Sequence, residues 1–476
     1  MEQQNILNPT SAITLILLIS FSFVLVGFFY SKKFKGLDNY LVANGSVGTF
    51  SLTCSFVASA LGTWILFGPA SAATWGGIGA VIGYSLGTAF PLFAIIFIGK
   101  IFRNSYPKAK TLIEVIRLRI GKHIFKLILI LSIFYMTIFL IAEVTAVSIL
   151  INYISGTKLW VTALIVISSS LIYTLYGGLR ASIFTDNIQF IVFTLLLLIA
   201  YSYLFSFNTN EFSFEFINKN KPNLLSKNYI PNFTAGLTFF IAVAATNLFH
   251  QGNWQRVYAA KNNDVLKKSL LFSFLIIIPI IYMMGFTGLV SVSKNLNVTP
   301  DLAFFSLLLN KEIPTLSIIV IVLGISLTIS SIDTLINAIS SLIIVDGKKI
   351  LSSNKDYLKL SRNIIIGLSF IALYVASKGF SILYLFLLAD LFCCAAVLSI
   401  FYSFYSKSFS EKTAYISIVV GLLGGMLLFP SPDFSKSILV GILFPVSYFP
   451  EFVKQSLLFL SFIAATLLPV LTWKVK

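Results

Sequence analysis

Charge is what this chain has least of. Only 11% of its 476 residues are Asp, Glu, Lys or Arg, against 57% hydrophobic residues and a mean hydropathy of +0.93. So few charges cannot clothe a water-facing surface, which excludes a soluble globular protein and leaves a polytopic membrane protein. Histidine is scarce too: His123 and His250 are the only two, too few for a haem or zinc centre built on several imidazoles. The three cysteines, Cys54 and the adjacent Cys393 and Cys394, lie inside apolar runs without CxxC spacing and read as small core residues. No small-residue cleavage site follows the apolar run 11–30. Lys32, Lys33 and Lys35 follow instead, so the run reads as a span and not as a cleavable signal peptide.

What is abundant is apolar sequence in helix-length pieces. A hydrocarbon core of roughly 30 Å needs about 20 residues per helix. That ruler gives about thirteen spans: 11–30, 50–70, 76–99, 124–152, 159–176, 183–206, 232–250, 266–292, 313–345, 362–377, 380–405, 413–430 and 453–473. The net charge of +17 resides in short connections between them, the pattern of membrane orientation, and no nucleic-acid partner is read from it. With the first connection placed in the cytoplasm, inside segments hold 25 of the 34 Lys and Arg and outside segments hold 9. This predicts a multi-pass protein of the cell (inner) membrane, N-terminus outside and C-terminus cytoplasmic. The external loop 207–231 reads as a variable cap without chemistry. The segment 431–450, with Pro445 and Pro450, either crosses or re-enters.

Three stretches depart from plain hydrophobicity. In 324–349, Ser326, Ser330, Asp333, Asn337 and Ser340 recur at offsets of four, three, four and three, one face of a helix. Serines alone would fit a close helix seam. A carboxylate in register with them turns the stripe toward an ion or substrate pathway, because a charge in hydrocarbon costs at least a few kcal/mol. In 48–83, Ala58-Ser59-Ala60-Leu61-Gly62-Thr63 is small and Gly-containing at mid-span, with Gly68-Pro69 a turn later. This fits close packing, or an unwound helix that frees carbonyls beside a cavity or bound cation. The third, Asn247 to Arg256, puts six polar side chains around Gly252, as a second broken helix resuming at Trp254 and running to Ala260, or as an ordinary exit.

Three motifs then coincide with the sodium:solute symporter family. Tyr173 to Gln189, with Gly177-Gly178-Leu179-Arg180 before Thr185-Asp186 and Gln189, resembles the family's signature; Gln255-Arg256 with Ala259-Ala260-Lys261 resembles its QR…AAK segment; and Ser330-Ser331 with Asp346 resembles its SS…D signature. The resemblance implies an all-α LeuT-like fold, a five-plus-five inverted repeat with one extra N-terminal and two extra C-terminal helices. Residues 1–49 would hold the extra helix and basic loop, 50–206 the first repeat, 207–231 the external loop, 232–405 the second repeat and 406–476 the C-terminal helices. It also implies a sodium site made by the carbonyls of Ala58, Leu61 and Leu327 and the hydroxyls of Ser330 and Ser331, an all-oxygen set suited to a hard cation. Asp186, Asp333 and Thr334 stand where members with a second ion site have ligands. Two nearby carboxylates there would share one proton. Ala60 replaces the aspartate of some relatives, the sodium/proline symporter among them, and the segment 251–256 is similar to the urea-transporting branch.

The function implied is secondary active symport, in which an inward sodium gradient drives import of a small polar solute of the amino acid, carboxylate, urea or sugar class by alternating access. Ser59, Gly62, Asn247, His250 and Gln251 are the candidate solute contacts. A proton-coupled or facilitative carrier on the same scaffold is the alternative, as is a membrane sensor that does not transport. Neither a soluble signalling domain beyond Lys476 nor an obligate protein partner is expected. No nucleophile or His/carboxylate constellation suggests an enzyme.

Overall fold

Long uninterrupted apolar runs dictate helices here, because in lipid each backbone polar group must be satisfied within its own segment. The computed structural model describes residues 5–31, 36–296, 299–351, 356–406, 408–432 and 456–474, with 437, 439 and 453 as isolated positions. The apolar helices are α1 (Pro9–Ser31), α3 (Thr49–Ala60), α4 (Gly68–Ser105), α6 (Lys122–Ser155), α7 (Leu159–Phe207), α9 (Ile230–Phe249), α11 (Asn263–Ser293), α13 (Pro314–Ser341), α14 (Tyr357–Ala376), α15 (Ile382–Ser403), α16 (Glu411–Leu428) and α17 (Leu457–Leu471). Shorter helices join them: α2 (Leu37–Val42), α5 (Leu112–Arg119), α8 (Phe214–Asn220), α10 (Gln251–Ala259) and α12 (Ala303–Leu308). Among the described residues ten helices are long and apolar enough to cross a membrane, and three shorter apolar ones lie at 49–60, 159–172 and 457–471. The chain is thus a multi-pass membrane protein. Most of the segment 431–450 lies outside the described residues.

Two of these helices bend sharply at a left-handed glycine, and the spans expected at 159–176 and 183–206 meet at one of these bends. Gly77 (φ 61°) turns the chain inside α4, and Gly178 (φ 60°) does so inside α7, at the Gly-Gly-Leu-Arg turn. A Cβ at Gly178 would press on the Tyr40 ring and its carbonyl oxygen at 2.7 Å. Between these turns, close packing relies on small residues. Gly79, Gly83 and Gly87 recur every four residues along α4 and lie directly on the α9 backbone at Asn232, Gly236 and Phe239, where a methyl at Gly87 would come within 2.7 Å of the Phe239 carbonyl.

The connections sort onto two faces by contact. On one, the basic segments meet: Lys110 pairs with Asp38, Lys349 with Glu114, Arg103 donates to the carbonyls of Val257 (2.6 Å) and Ala260 (2.8 Å), and Arg119 to that of Ser406 (2.7 Å). On the other, Lys294 pairs with Glu211 at 2.5 Å, and the loop 207–231, which carries α8, packs Phe212 and Phe214 on Phe286. Asp301 ties this second face together, accepting from Ser71 Oγ (2.8 Å) and the Ile382 amide (3.3 Å). Burial raises the Asp301 carboxyl above its ordinary range, while those bonds and the Ser381 hydroxyl pull it back.

Candidate functional site

The first break falls between α3 and α4. The helix stops at Ala60, Leu61 leaves helical space (φ −104°, ψ 86°), Gly62 is extended, and one tight turn, Thr63–Leu66, precedes α4. Freed amides need acceptors inside the protein. The Thr63 amide finds the carboxylate of Glu143 on α6 at 2.9 Å, with Trp64 as its second backbone donor, while Thr63 Oγ1 reaches the Gly324 carbonyl at 2.9 Å and meets the Thr328 hydroxyl. Gly62 is required here: a Cβ would overlap Glu143 Oε1 and lie 2.5 Å from Ser331 Oγ. The second break is at His250 (ψ 105°), between α9 and α10. Its orphaned carbonyls are capped by side chains, Asn247 O by Asn253 (3.0 Å) and Leu248 O by Trp254 Nε1 (2.7 Å). The helix resumes at Gln251, three residues before the expected Trp254, because those caps act from inside its first turn.

Of the polar stripe of α13, Ser330 reaches the first break, while Asp333 turns to Ser182 and Thr185 and Ser340 to Tyr40 and Ser361. Ser330 Oγ lies 3.2 Å from the Ala58 carbonyl and 2.8 Å from Asp186 Oδ1. Ser331 Oγ is buried without a hydrogen-bond partner among the described residues, as is Glu143 Oε1, and both border the space above Gly62. Leu61 and Leu327 are fully buried on the two elements that meet there. Unpartnered oxygens are the donor type that a small hard cation takes.

Asp186 and Asp333 both reach this region, but a guanidinium stands with them. Arg256 Nη2 lies 2.8 Å from Asp186 Oδ2 and 3.0 Å from Thr334 Oγ1, and neither partner of the ion pair has any exposed side-chain surface. Ser55 bridges the pair, donating to Asp186 at 2.5 Å and accepting from Arg256 Nε at 2.7 Å. Asp333 accepts from Ser182 (2.9 Å) and Thr185 (3.3 Å), with Thr334 Oγ1 at 3.4 Å. Asp186 therefore has a counter-charge of its own in Arg256. As part of an ordinary helix exit Arg256 would face water, whereas the fold buries it fully.

The candidate solute contacts scatter. Asn247 lines a small pocket with Trp64, Tyr84, Phe139, Val243, Thr246, Phe386 and Asp390. His250 packs edge-on against Phe139, 6.0 Å between ring centroids, with Nδ1 unpartnered among the described residues. Ser59 Oγ donates to its own helix at Phe56 O (3.1 Å), and Gly62 is committed to the Glu143 contact. Gln251 works elsewhere: it accepts from the Leu112 amide (3.0 Å) and donates to Lys110 O and Ser341 Oγ (3.3 Å each). With Thr111 bonded to Asp346 at 2.7 Å, these contacts tie the start of α5 to α10 and the end of α13 on the basic face. The opposite face holds a vestibule of about 390 Å³ between Trp75, Asn152, Tyr153, Asp301 and Leu383. The sequence reading missed Glu143 and Asp390. A lone acid inside an apolar run, the signal that singled out Asp333, marks both.

A model of the family described as "Sodium:solute symporter family" matches residues 40–421. A curated relative, "Spermidine transporter DUR31" of Candida albicans (strain SC5314 / ATCC MYA-2876), is 27% identical over 419 residues, which are 87% of this chain and 78% of the relative. Among solved structures, the substrate-bound outward-open state of a Na+-coupled sialic acid symporter aligns with a TM-score of 0.73 at 15% identity, over 98% of this chain and 97% of that one. MHP1, a nucleobase-cation-symport-1 family transporter in a closed conformation with bromovinylhydantoin bound, gives 0.55 at 14% identity over 91% and 93%.

Proposed function

The chain belongs to the sodium:solute symporter family, and from that premise we propose that it imports a small polar solute by alternating access, with sodium held between the first helix break and the hydroxyl pair of α13. It is a sodium-coupled solute symporter. The observation that carries the site is the approach of Ser330 Oγ to the Ala58 carbonyl, 3.2 Å across 272 residues of sequence, beside the unpartnered Ser331 Oγ. Neutral oxygens bind sodium weakly enough to release it in each cycle. The basic face is taken as cytoplasmic, by the rule that Lys and Arg accumulate inside. The larger vestibule on the opposite face then supports a state facing outward. The repeat boundaries 50–206 and 232–405 are supported by the position of each break in the first helix of its half.

Relatives do not fix the solute, since spermidine is a cation and sialic acid an anion. Proteoliposomes under an inward sodium gradient, offered urea, proline, sialic acid, glucose and spermidine, test the reading. Accumulation of one of them that collapses when sodium is equal on both sides is the expected result. Accumulation that follows a pH gradient instead would move the chain to the proton-coupled carrier, and no accumulation under either gradient would end the symport reading.

A further inference from the structure

Ser330 has one hydroxyl hydrogen and two acceptors within reach, the Ala58 carbonyl at 3.2 Å and Asp186 Oδ1 at 2.8 Å. Sodium decides between them. A hydroxyl that ligates a cation offers it a lone pair and turns its hydrogen away. The Ala58 carbonyl, as a ligand of the same ion, lies on the ion's side, so the hydrogen goes to Asp186 Oδ1. Asp186 carries the change further into the fold. Its Oδ2 accepts from Ser55 on α3 at 2.5 Å and from Arg256 Nη2 on α10 at 2.8 Å. The same guanidinium reaches Thr334 Oγ1 on α13 (3.0 Å), Ser55 Oγ (2.7 Å) and its own helix at the Gly252 carbonyl (3.0 Å). Four helices, α3, α7, α10 and α13, thus meet in one polar cluster, and Ser55, Asp186, Arg256 and Ser330 have no exposed surface in it.

Stability alone does not call for this arrangement. Desolvating both charges of a buried pair takes back most of their attraction, and well-packed apolar side chains hold helices together as well. What the pair adds is a link between α10, the second half of the second broken helix, and an acid that touches the sodium-binding hydroxyl. Resting on the sodium site proposed above, we infer that Asp186 and Arg256 are positioning residues that transmit sodium occupancy to α10. With sodium bound, the Asp186 carboxylate is fixed by both oxygens, Oδ1 on Ser330 and Oδ2 on Arg256, and α10 is held. Without sodium the Ser330 hydrogen turns to Ala58 as readily, Oδ1 loses its donor, the carboxylate is free to rotate, and α10 loosens. Sodium shifts this balance by its differential affinity for the two arrangements. Gln251, at the start of α10, accepts from the Leu112 amide at 3.0 Å and donates to Ser341 Oγ at 3.3 Å, so the hold on α10 acts on contacts of the basic face.

Hydrogen/deuterium exchange of the purified full chain in detergent, read by mass spectrometry in sodium and in choline, tests this without requiring a solute. In the wild type sodium should slow exchange of the α3 and α10 amides by about fivefold or more, the lower end of what coupled sites show, and leave α16 unchanged. Arg256→Lys keeps the positive charge but not the fork that spans Asp186, Ser55 and Thr334, so sodium should still slow α3 and no longer α10. An arginine with a structural role alone would speed α10 exchange equally in both salts. An unchanged ratio between sodium and choline at α10 in that variant would therefore overturn the inference. So would a wild type in which sodium protects α3 and not α10, or one in which α16 slows by the same factor. If Arg256→Lys does not fold, Thr334→Val, which removes one contact of the guanidinium and no charge, should lower the ratio at α10, and a ratio equal to the wild type's overturns the inference there. The sodium site fails separately, when sodium protects neither α3 nor α10.

Discussion

The buried pair of Arg256 and Asp186 sets up a prediction whose size follows from the structure. At 2.8 Å two unit charges attract by about 6 kcal/mol at an effective dielectric of about 20. Desolvation of both ions, which have no exposed side-chain surface, takes back most of that gain. Removing one partner, however, strands the other in a low-dielectric core. Asp186→Asn and Arg256→Met should therefore each cost about 3–5 kcal/mol, a large share of a total stability of about 5–15 kcal/mol. The double variant leaves no stranded charge and should lose less than the sum of the two by about 2–3 kcal/mol. Thermal unfolding of the four detergent-purified proteins, read by size-exclusion chromatography, provides the cycle. Strict additivity of the two losses would refute the claim that these residues satisfy one another.

Other expectations follow from single contacts. Gly62→Ala should abolish sodium-driven uptake while the protein still reaches the membrane, because the added methyl fills the space between Glu143 and Ser331; wild-type uptake in that variant would show the space is not used. Asp333→Asn should lower uptake about tenfold or more, since Ser182 and Thr185 lose a charged acceptor; full uptake would reduce Asp333 to a structural partner. Asp301 titrates above the ordinary carboxyl range when folded, so the folded state holds its proton more tightly than the unfolded chain. That contribution to stability is present at low pH and is lost as pH rises through the raised value. Asp301→Asn should flatten this part of a curve of melting temperature against pH, and identical slopes in the two proteins would contradict it.

Much of the architecture is legible in the sequence because lipid leaves the backbone so few choices. Runs of about 20 apolar residues become helices, and the small residues around Gly62 mark a break. The second break is legible in outline, but its register depends on Asn253 and Trp254 folding back on Asn247 and Leu248, which no local propensity encodes. Tertiary pairings are the least readable. Arg256 lies 70 residues from Asp186 and looks like an ordinary charge at a helix exit until the fold buries it. Gln251 looks like a solute contact by its polarity, yet its amide is spent on Lys110, Leu112 and Ser341. Glu143 and Asp390 carry the same sign in the sequence as Asp333, an acid inside a span, but no family motif frames them.

Sodium is proposed to bind between Ala58, Leu61, Leu327, Ser330 and Ser331. Equilibrium binding of 22Na+ to purified wild type, Ser330→Ala and Ser331→Ala measures that directly, with Ser326→Ala, from the same helix, as control. The wild type and the control should bind saturably and alike, and each site variant should need about tenfold more sodium for half-saturation. Equal binding by all four proteins would contradict it.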